Sequence, residues 1–218
     1  MIDQYLNKIH NCDCLEFMKS LPDKCVDLVL TDPPYGIGAS SKKFINGTSV
    51  TKKDYYADVC WDTETPKIEY FNEIFRISKN QVIWGGNYFI SKLKDTRCFL
   101  IWDKTIHGNS YADCELAWTS FDQVARIKSI NMVECTLDGR IHPTQKPRKL
   151  FKWILENYSS DTDIIFDPFM GSGTTAVACK QLGREFIGFE ICEEYCKIAN
   201  KRLEQANLNT FFENKEVE

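Results

Sequence analysis

The sequence CVDLVLTDPPY, residues 25–35, joins a short apolar segment to a turn that contains two prolines. The apolar segment is rich in Val and Leu and lies between turn-forming residues, which predicts a buried strand over Val26–Thr31. Pro33 and Pro34 carry no N–H group and cannot continue a sheet ladder, so the chain must leave the sheet there. A carboxylate, exposed carbonyls and the Tyr35 ring are therefore expected at the carboxyl end of a strand, where open α/β sheets bind ligands.

Asp32 and its neighbours suit a flat ring that carries an amine. The carboxylate and carbonyl oxygens can accept hydrogen bonds from an NH2 group, and Tyr35 can stack on the face of the ring. A Pro-rich surface turn with a solvated Asp32 is the alternative interpretation. A matching cofactor site elsewhere in the chain decides between the two.

Apolar strands alternate with amphipathic helices along the chain. Strands are predicted at residues 8–10, 26–31, 81–84, 98–102, 115–118, 124–127, 163–167 and 185–190, and helices at 14–21, 65–77, 87–93, 147–157, 173–182 and 193–206. Thr65 is expected to cap the second helix and Pro66 to be its first residue. The alternation predicts an α/β fold with a doubly wound sheet, and the segments 115–118 and 124–127 are compatible with a hairpin.

The 218 residues are predicted to form one domain, because no linker, repeat or low-complexity segment divides them. Residues 36–62 are polar and rich in Gly, Ser, Asn and Lys, which predicts a long mobile loop. No apolar stretch is long enough to cross a membrane and no signal peptide is evident, so a cytoplasmic protein is expected. The 10 cysteines include no C-x-x-C pair and only 3 His are present, which favours reduced thiols and no metal site.

The net charge of −4 argues mildly against nonspecific binding to polyanions. Basic residues nevertheless cluster in residues 140–152 and at four positions of the polar loop, namely Lys42, Lys43, Lys52 and Lys53. A basic face on an acidic protein and a scatter of solvated lysines both remain open.

A second motif, DPFMGSGTT at residues 167–175, follows a predicted strand and begins a helix. Gly171 and Gly173 allow a tight turn and a close approach of the backbone to a ligand, and the helix N-terminus presents free N–H groups. The next strand ends in Glu190, the place where an acid binds ribose hydroxyls in dinucleotide folds. Neither the P-loop pattern nor G-x-G-x-x-G matches, so the segment favours a nucleoside such as S-adenosylmethionine. For the glycine turn alone, an ordinary strand–helix junction is the alternative.

The two motifs together resemble those of the amino-methylating DNA methyltransferases, which modify adenine N6 or cytosine N4. The DPPY motif precedes the glycine-rich motif, as in the β-group of that family. The segments NCDCL at residues 11–15 and HPTQKP at 142–147 are also typical of the group, so the resemblance spans residues 9–202. It implies a Rossmann-like class I methyltransferase fold with a mostly parallel sheet and a terminal β-hairpin, S-adenosylmethionine as cofactor and DNA as partner.

The resemblance also assigns roles to individual residues. The catalytic turn comprises Asp32, Pro33, Pro34 and Tyr35, with the Asp32 carboxylate and the Pro33 carbonyl on the target amine and Tyr35 on the base. Cofactor contacts are implied for Asp13, Cys14, Asp32, Thr144, Lys146, Asp167, Phe169, Gly171, Ser172, Gly173, Thr174 and Glu190.

Within the cofactor set the implied roles differ. Asp13 and Cys14 lie near the adenine, Thr144 and Lys146 face the methionine carboxylate, and Glu190 takes the ribose hydroxyls. Three simpler interpretations stay open from the residues alone. Asp13 can be a helix cap, Cys14 a packing residue and Lys146 a solvated side chain.

The predicted reaction is methyl transfer to an exocyclic amine of a base in DNA, most of all adenine N6, because cytosine-N4 members more often carry Ser at the position of Asp32. Cytosine-N4 transfer and RNA methylation are the alternatives within the enzyme class. Amide methyltransferases carry Asn in place of Asp32, and a catalytically dead binding module would not need an intact DPPY motif.

Target recognition is predicted to be short or shared. The segment available for it, residues 119–141, is too short for a separate domain. Recognition is therefore expected to involve few bases, or a homodimer or specificity partner. A role in restriction-modification is expected, with an orphan methyltransferase or a phage enzyme as the alternatives.

Overall fold

The computed structural model describes residues 2–38, 62–106, 108, 112–131 and 145–213. Within these residues one sheet comprises β1 (Lys8–His10), β2 (Val26–Thr31), β3 (Ser78–Trp84), β4 (Phe99–Asp103), β5 (Cys114–Thr119), β6 (Arg126–Ser129), β7 (Ile164–Asp167) and β8 (Glu185–Phe189). The α-helices there are α1 (Leu15–Ser20), α2 (Ile68–Ile77), α3 (Arg148–Tyr158), α4 (Thr174–Gln181) and α5 (Glu193–Glu213). Short 3₁₀ turns occur at Asp3–Tyr5, Gly86–Tyr88 and Ile90–Lys92.

The strand order is β1-β8-β7-β2-β3-β5-β4-β6. Among the described strands only β5 runs against the others, because it pairs antiparallel with both β3 and β4. From β2 the chain continues into β3 and the strands beyond it on one side of the sheet. The later strands β7 and β8 lie on the other side of β2, so the strand order reverses between β2 and β7. The carboxyl ends of strands at such a reversal flank the crevice where α/β sheets bind ligands.

Both faces of the sheet are covered by helices. Leu28 and Leu30 of β2 belong to one core cluster with α3, α4 and α5, while Val29 belongs to a second cluster with α1 and α2. This alternation follows from the two-residue period of a strand. Phe71 and Ile74 are fully buried under the second face, and burial of each such side chain stabilises the fold by about 1.5–3 kcal/mol.

The predicted fold class is confirmed, since the sheet is mostly parallel and helices pack on both faces. The strand bounds also match closely in the centre of the sheet, where β2 covers Val26–Thr31. The last helix is longer than expected and ends at Glu213. No helix in the described part of the chain is long and apolar enough to cross a membrane.

The predicted hairpin between residues 115–118 and 124–127 is wrong. β5 enters the sheet between β3 and β4, and β6 pairs in parallel with the far side of β4. The antiparallel pairs at this end of the sheet are therefore β3 with β5 and β5 with β4. Ala117–Thr119 are buried whereas β6 is largely exposed, so burial places β5 inside the sheet and leaves β6 at its edge.

Two helix predictions also need correction. α2 begins at Ile68 with Lys67 as its N-cap, and the Thr65 hydroxyl instead accepts a hydrogen bond from Lys92 Nζ at 2.6 Å. The predicted helix at 87–93 is two separate 3₁₀ turns, because the fully buried Phe89 between them has φ −120°, outside the helical range.

The ends of the predicted loop 36–62 are joined by hydrogen bonds. The Gly36 N–H donates to Asp62 Oδ1 at 2.8 Å and the Gly38 N–H donates to the Asp62 carbonyl at 2.9 Å. Residues 39–61, which include the four loop lysines, lie outside the described residues, as do 132–144. The mobile loop, the recognition segment 119–141 and the single domain therefore stay predictions.

Candidate active site

Three acidic residues lie side by side at the carboxyl edge of the sheet. Asp32 follows β2, Asp167 ends β7 and Glu190 follows β8. The hydroxyl of Thr31 donates to Asp167 Oδ1 at 2.7 Å and so connects the ends of β2 and β7 directly. The two proline-containing turns, which are far apart in the sequence, are therefore adjacent in the fold.

The Tyr35 side chain is fixed on the Asp32 carboxylate. Its hydroxyl donates to Asp32 Oδ1 at 2.5 Å, and its ring stacks on Tyr88 with 4.7 Å between centroids and 14° between planes. The ring also lies against Gly85, where a Cβ atom would come within 2.1 Å of Tyr35 Cε1. Gly85 has φ +71°, a conformation that L side chains rarely adopt, so both backbone and packing require glycine there.

Lys146 lies in the same place and is only 4% exposed. Its Nζ is 2.7 Å from Asp32 Oδ2, 3.0 Å from the Tyr35 hydroxyl and 2.9 Å from Glu115 Oε2. The other oxygen of Glu115 is 2.8 Å from Lys104 Nζ. We call Asp32, Tyr35, Glu115 and Lys146 the Asp32 cluster.

The antiparallel direction of β5 explains how Glu115 reaches this site. Because β5 runs against its neighbours, its first residues lie at the edge where β2, β7 and β8 end. Glu115 pairs in register with Trp102 of β4, and the Gly85 N–H donates to the carbonyl of Leu116 at 2.8 Å. The start of β5 thus extends the carboxyl edge beyond β3.

Burial and charge act on this cluster in opposite directions. Burial would lower the pKa of Lys146, but the carboxylates of Asp32 and Glu115 outweigh it and hold that pKa well above its usual value. Burial would raise the pKa of Glu115, yet Lys146 and Lys104 keep it below its usual value. For Asp32, burial dominates over the attraction of Lys146 and raises the pKa. Burial and the Asp32 charge raise the pKa of Tyr35, so its hydroxyl remains protonated as a donor.

The second site segment, residues 167–175, is here called the Asp167 turn. Asp167 is buried and accepts hydrogen bonds from the hydroxyls of Thr31 and Thr175 and from the Phe169 N–H, at 2.7, 2.5 and 3.0 Å. Burial raises the pKa of Asp167 to about 7. These donors are neutral groups at the end of β2, at the start of α4 and in the turn itself.

Gly173 allows helix α5 to approach the turn closely. It has φ +85°, and a Cβ there would lie 2.8 Å from the Cβ of Ala199 on α5. A Cβ on Gly171, in contrast, would meet no atom within 4 Å, so the backbone at Gly171 faces open space. The Asp167 turn thus combines a packed side toward α5 with an open position at Gly171.

Glu190 holds the open side of the turn in place. Its two carboxylate oxygens accept the backbone N–H groups of Gly171 and Cys192, each at 2.7 Å. Burial raises the pKa of Glu190, and these N–H donors oppose the shift. Each carboxylate oxygen has a second lone pair, so the same group can still accept hydroxyls from a ligand.

The remaining predicted cofactor residues border the turn. Asp13 accepts the Leu15 N–H at 2.8 Å and the Tyr70 hydroxyl at 2.7 Å, and the Tyr70 ring packs 5.8 Å from that of Phe169. Asp13 is thus linked to the Asp167 turn through Tyr70. Cys14 is buried at the start of α1, and burial raises the pKa of its thiol.

Arg202 of α5 holds the two hydroxyl residues of the turn. Its Nη1 donates to the Ser172 carbonyl, to Ser172 Oγ and to Thr174 Oγ1, at 2.5, 3.0 and 3.5 Å. Ser172 and Thr174 therefore contribute to the internal structure of the turn. Thr144 lies outside the described residues.

Glu115, Tyr88, Tyr70 and Arg202 were missed by the sequence reasoning. Glu115 left one signal, an acid in a strand whose other residues are apolar. Tyr88 follows the Gly85–Gly86 pair that ends β3, so an aromatic residue just after a glycine turn was a second signal. Tyr70 and Arg202 lie on helices and carry no local signal of this kind.

The chain is similar in sequence to known DNA methyltransferases. A family model described as DNA methylase, of the N6/N4 type, matches residues 49–201. The chain is 27% identical to the Type II methyltransferase M.HinfI of Haemophilus influenzae over 259 aligned positions, which cover 95% of this chain and 71% of that protein. It is 28% identical to the Type II methyltransferase M2.DpnII of Streptococcus pneumoniae over 260 positions, which cover 95% and 94%.

Solved structures of DNA methyltransferases are similar in fold to this chain. The structure of the M1.HpyAVI–SAM complex superposes with a TM-score of 0.58 at 26% identity and covers 90% of this chain and 98% of its own. The cytosine-N4-specific PvuII DNA methyltransferase superposes with a TM-score of 0.57 over 89% and 85%, at 17% identity. This second likeness concerns the fold alone.

The fold is the Rossmann-like fold of class I S-adenosylmethionine-dependent methyltransferases. The chain belongs to the family of N6/N4 DNA methyltransferases, because the family model covers well over half of it. Its cofactor is S-adenosylmethionine. The site suits that cofactor, since open backbone at Gly171 lies beside the Glu190 carboxylate, an acceptor for hydroxyls.

Proposed function

We propose that this enzyme transfers a methyl group to N6 of adenine in DNA. The observation that carries the proposal is the contact of the Asp32 carboxylate with the Tyr35 hydroxyl beside the Asp167 turn. An aspartate at the first position of the DPPY motif favours adenine over cytosine, as the family resemblance implies.

The residues of the DPPY turn can make the exocyclic amine of the base a better nucleophile. The lone pair of an exocyclic amine is delocalised into the ring, so the nitrogen attacks poorly. The Asp32 carboxylate and the Pro33 carbonyl can accept the two amine hydrogens, which favours a pyramidal nitrogen with a free lone pair. The same acceptors stabilise the positive charge that develops on the nitrogen during transfer.

S-adenosylmethionine supplies an electron-poor methyl group when it is bound. The chain contributes orientation, because adjacent strand ends hold the Asp32 and Asp167 turns together. Asp32 need not be a strong base, since the amine proton can leave after transfer. A paired base cannot reach such a pocket, so the target adenine is flipped out or single-stranded. Stacking on Tyr35 offsets the lost base stacking by about 1–3 kcal/mol.

For the cofactor we retain the roles implied by the family. Glu190 binds the ribose hydroxyls, and Asp13 and Cys14 lie near the adenine of the cofactor. Thr144 faces the methionine carboxylate, and the backbone of the Asp167 turn surrounds the methionine chain. The burial and fixed hydrogen bonds of Asp167 and Glu190 support a preorganised binding site.

Target recognition is proposed to use residues 36–62 and 119–141 of a single domain. The alignments with M.HinfI and M2.DpnII, at 259 and 260 positions, are longer than this chain, so those relatives contain segments that it lacks. Because few residues are available for recognition, the target is short, or a homodimer or a specificity partner contributes to its recognition. A cytoplasmic role in restriction-modification is part of the proposal, since both relatives are named Type II methyltransferases.

Methyl transfer with base analysis tests the proposal directly. The purified protein is incubated with tritiated S-adenosylmethionine and whole-genome-amplified DNA, which carries no prior methylation, and the nucleosides are separated after digestion. Label in N6-methyldeoxyadenosine is expected. Label in N4-methyldeoxycytidine, or label that appears only in a parallel reaction with RNA, would replace the adenine assignment. Absence of label from both nucleic acids would refute the proposal.

A further inference from the structure

Lys146 is held by the carboxylate that the proposed mechanism reserves for the target amine. Asp32 Oδ2 and the Tyr35 hydroxyl lie 2.7 and 3.0 Å from Lys146 Nζ. An ammonium group is an N–H donor with positive charge, and the amine under methylation becomes the same kind of group. Lys146 and a bound base therefore compete for the same carboxylate.

Glu115 provides a second position for the Lys146 ammonium. Its Oε2 is 2.9 Å from Lys146 Nζ, so the ammonium can leave Asp32 and keep a charged partner without a large movement. The buried ammonium would otherwise be left unpaired, which is strongly unfavourable in a low-dielectric site.

Lys104 keeps Glu115 suited to this role. Lys104 Nζ is 2.8 Å from Glu115 Oε1, and both side chains are largely buried, at 12% and 23% exposed. The lysines thus occupy different oxygens of the same carboxylate. Lys104 stays on Glu115 while Lys146 changes its partner, so Glu115 keeps a cation beside it and remains an anion.

We propose that Lys146 occupies the amine-binding atoms of Asp32 in the free enzyme and moves to Glu115 when the target base enters, with Glu115 as the positioning residue for this exchange. The inference rests on the proposed function, because it takes Asp32 as the acceptor of the base amine. It differs from the family-implied role of Lys146 at the methionine carboxylate, and the two roles predict different variants.

The described groups that face Asp32 and Lys146 set the expected pH effects. They are Tyr35, Glu115 with Lys104 behind it, and Asp167 across the strand boundary. Lys146→Met removes the cation beside Asp32 and should move the acid limb of the kcat–pH profile upward by about one unit or more. Glu115→Gln removes an anion and should move the same limb downward.

The experiment measures kcat and KM between pH 5 and 9 on whole-genome-amplified DNA, and cofactor affinity by calorimetry. Glu115→Gln should lower kcat/KM for DNA about tenfold while changing cofactor affinity less than about threefold. Glu115→Asp should recover part of that loss. Asp23→Asn, in an exposed ion pair with Arg76, is the matched control and should resemble wild type. Thermal melting of each variant checks its folding. If Glu115→Gln does not fold, the pH profile and cofactor affinity of Lys146→Met still test the inference.

Opposite shifts of the acid limb in the two variants show that both charges act on Asp32. A loss of kcat/KM for DNA in Glu115→Gln that Glu115→Asp partly recovers, with cofactor affinity retained, supports the exchange. Cofactor binding weakened about tenfold or more by Lys146→Met, with the acid limb unmoved, assigns the ammonium to the cofactor and overturns the inference. Variants that match Asp23→Asn in every measurement overturn it as well, with the proposed function intact. Absence of transfer by wild-type protein overturns both.

Discussion

The Asp32 cluster and the Asp167 turn solve the same problem, a buried carboxylate at a strand end, by different means. In the Asp32 cluster the carboxylates are bound by the ammonium groups of two lysines, whose side chains are long, together with the Tyr35 hydroxyl. In the Asp167 turn the partners are hydroxyls and backbone N–H groups on fixed elements. Under the proposed function, this difference means that the cofactor side is preorganised, whereas the amine side rearranges its charges when a base enters.

Removal of Asp32 should separate the two regions most clearly. Asp32→Ala removes the acceptor of the amine and is expected to lower kcat about a thousandfold or more, while cofactor affinity changes less than about threefold. Tritiated methyl transfer and calorimetry measure the two effects. Asp161→Ala, which alters a 90% exposed carboxylate, is the control. Appreciable activity in Asp32→Ala would contradict the catalytic assignment.

Added methyl groups at two glycines should damage one region each. Gly85→Ala places a Cβ within 2.1 Å of the Tyr35 ring, and Gly173→Ala places one 2.8 Å from Ala199 Cβ. We expect Gly173→Ala to lower the free energy of unfolding by about 2–4 kcal/mol, from backbone strain and overpacking together. Gly85→Ala should mainly lower kcat, because it displaces Tyr35 from Asp32.

Gly183→Ala is the matched control for these variants. Gly183 also has a left-handed φ, +66°, but a Cβ there would meet no atom within 4 Å. It should cost only the backbone contribution, about 1 kcal/mol in urea unfolding. Equal losses of unfolding free energy in Gly85→Ala, Gly173→Ala and Gly183→Ala would show that the close contacts at Gly85 and Gly173 contribute nothing beyond backbone strain.

The raised pKa of Asp167, about 7, predicts a pH dependence of stability. The folded protein binds this proton more tightly than the unfolded chain, so the stabilising contribution is complete below about pH 4, the usual Asp pKa, and is lost as the pH rises toward 7. The free energy of unfolding should fall by about 1.4 kcal/mol per pH unit at most between pH 5 and 7.

Asp167→Asn should remove that slope, and Asp161→Asn, at an exposed carboxylate, should retain it. Urea unfolding at several pH values measures all three proteins. A slope that persists in Asp167→Asn would assign the pH dependence to other groups.

Glu190→Ala should have a smaller effect, confined to the cofactor. The variant loses the carboxylate that holds Gly171 and is assigned to the ribose, so the dissociation constant of S-adenosylmethionine should rise about tenfold. Glu193→Ala, in an exposed ion pair with Lys197, is the control. An unchanged dissociation constant in Glu190→Ala would count against the ribose assignment.

The sequence was most informative where local pattern and structure coincide. The centre of β2, Leu28–Leu30, is entirely apolar because both faces of a central parallel strand are buried, and Pro33 and Pro34 mark the end of the strand. Asp32, Asp167 and Glu190 follow strand ends, so their shared edge could be predicted from the α/β alternation. The resemblance to a known family added the roles of these residues.

The prediction failed where distant pairing decides the structure. Nothing near β5 shows that it enters between β3 and β4, so the hairpin partner was wrong and Glu115 was not placed at the site. Lys146 was predicted in the site, but its contact with Glu115 depends on that same placement of β5. Charge networks assembled from several elements leave little trace in any one of them.

A crystal structure with sinefungin tests the central claim that the two turns form one site. This analogue of S-adenosylmethionine carries an amine in place of the transferred methyl group. The account predicts that its ribose hydroxyls contact Glu190 and that its amine points toward Asp32 and Tyr35. A nucleoside bound away from the Asp167 turn, or an amine directed away from Asp32, would contradict it.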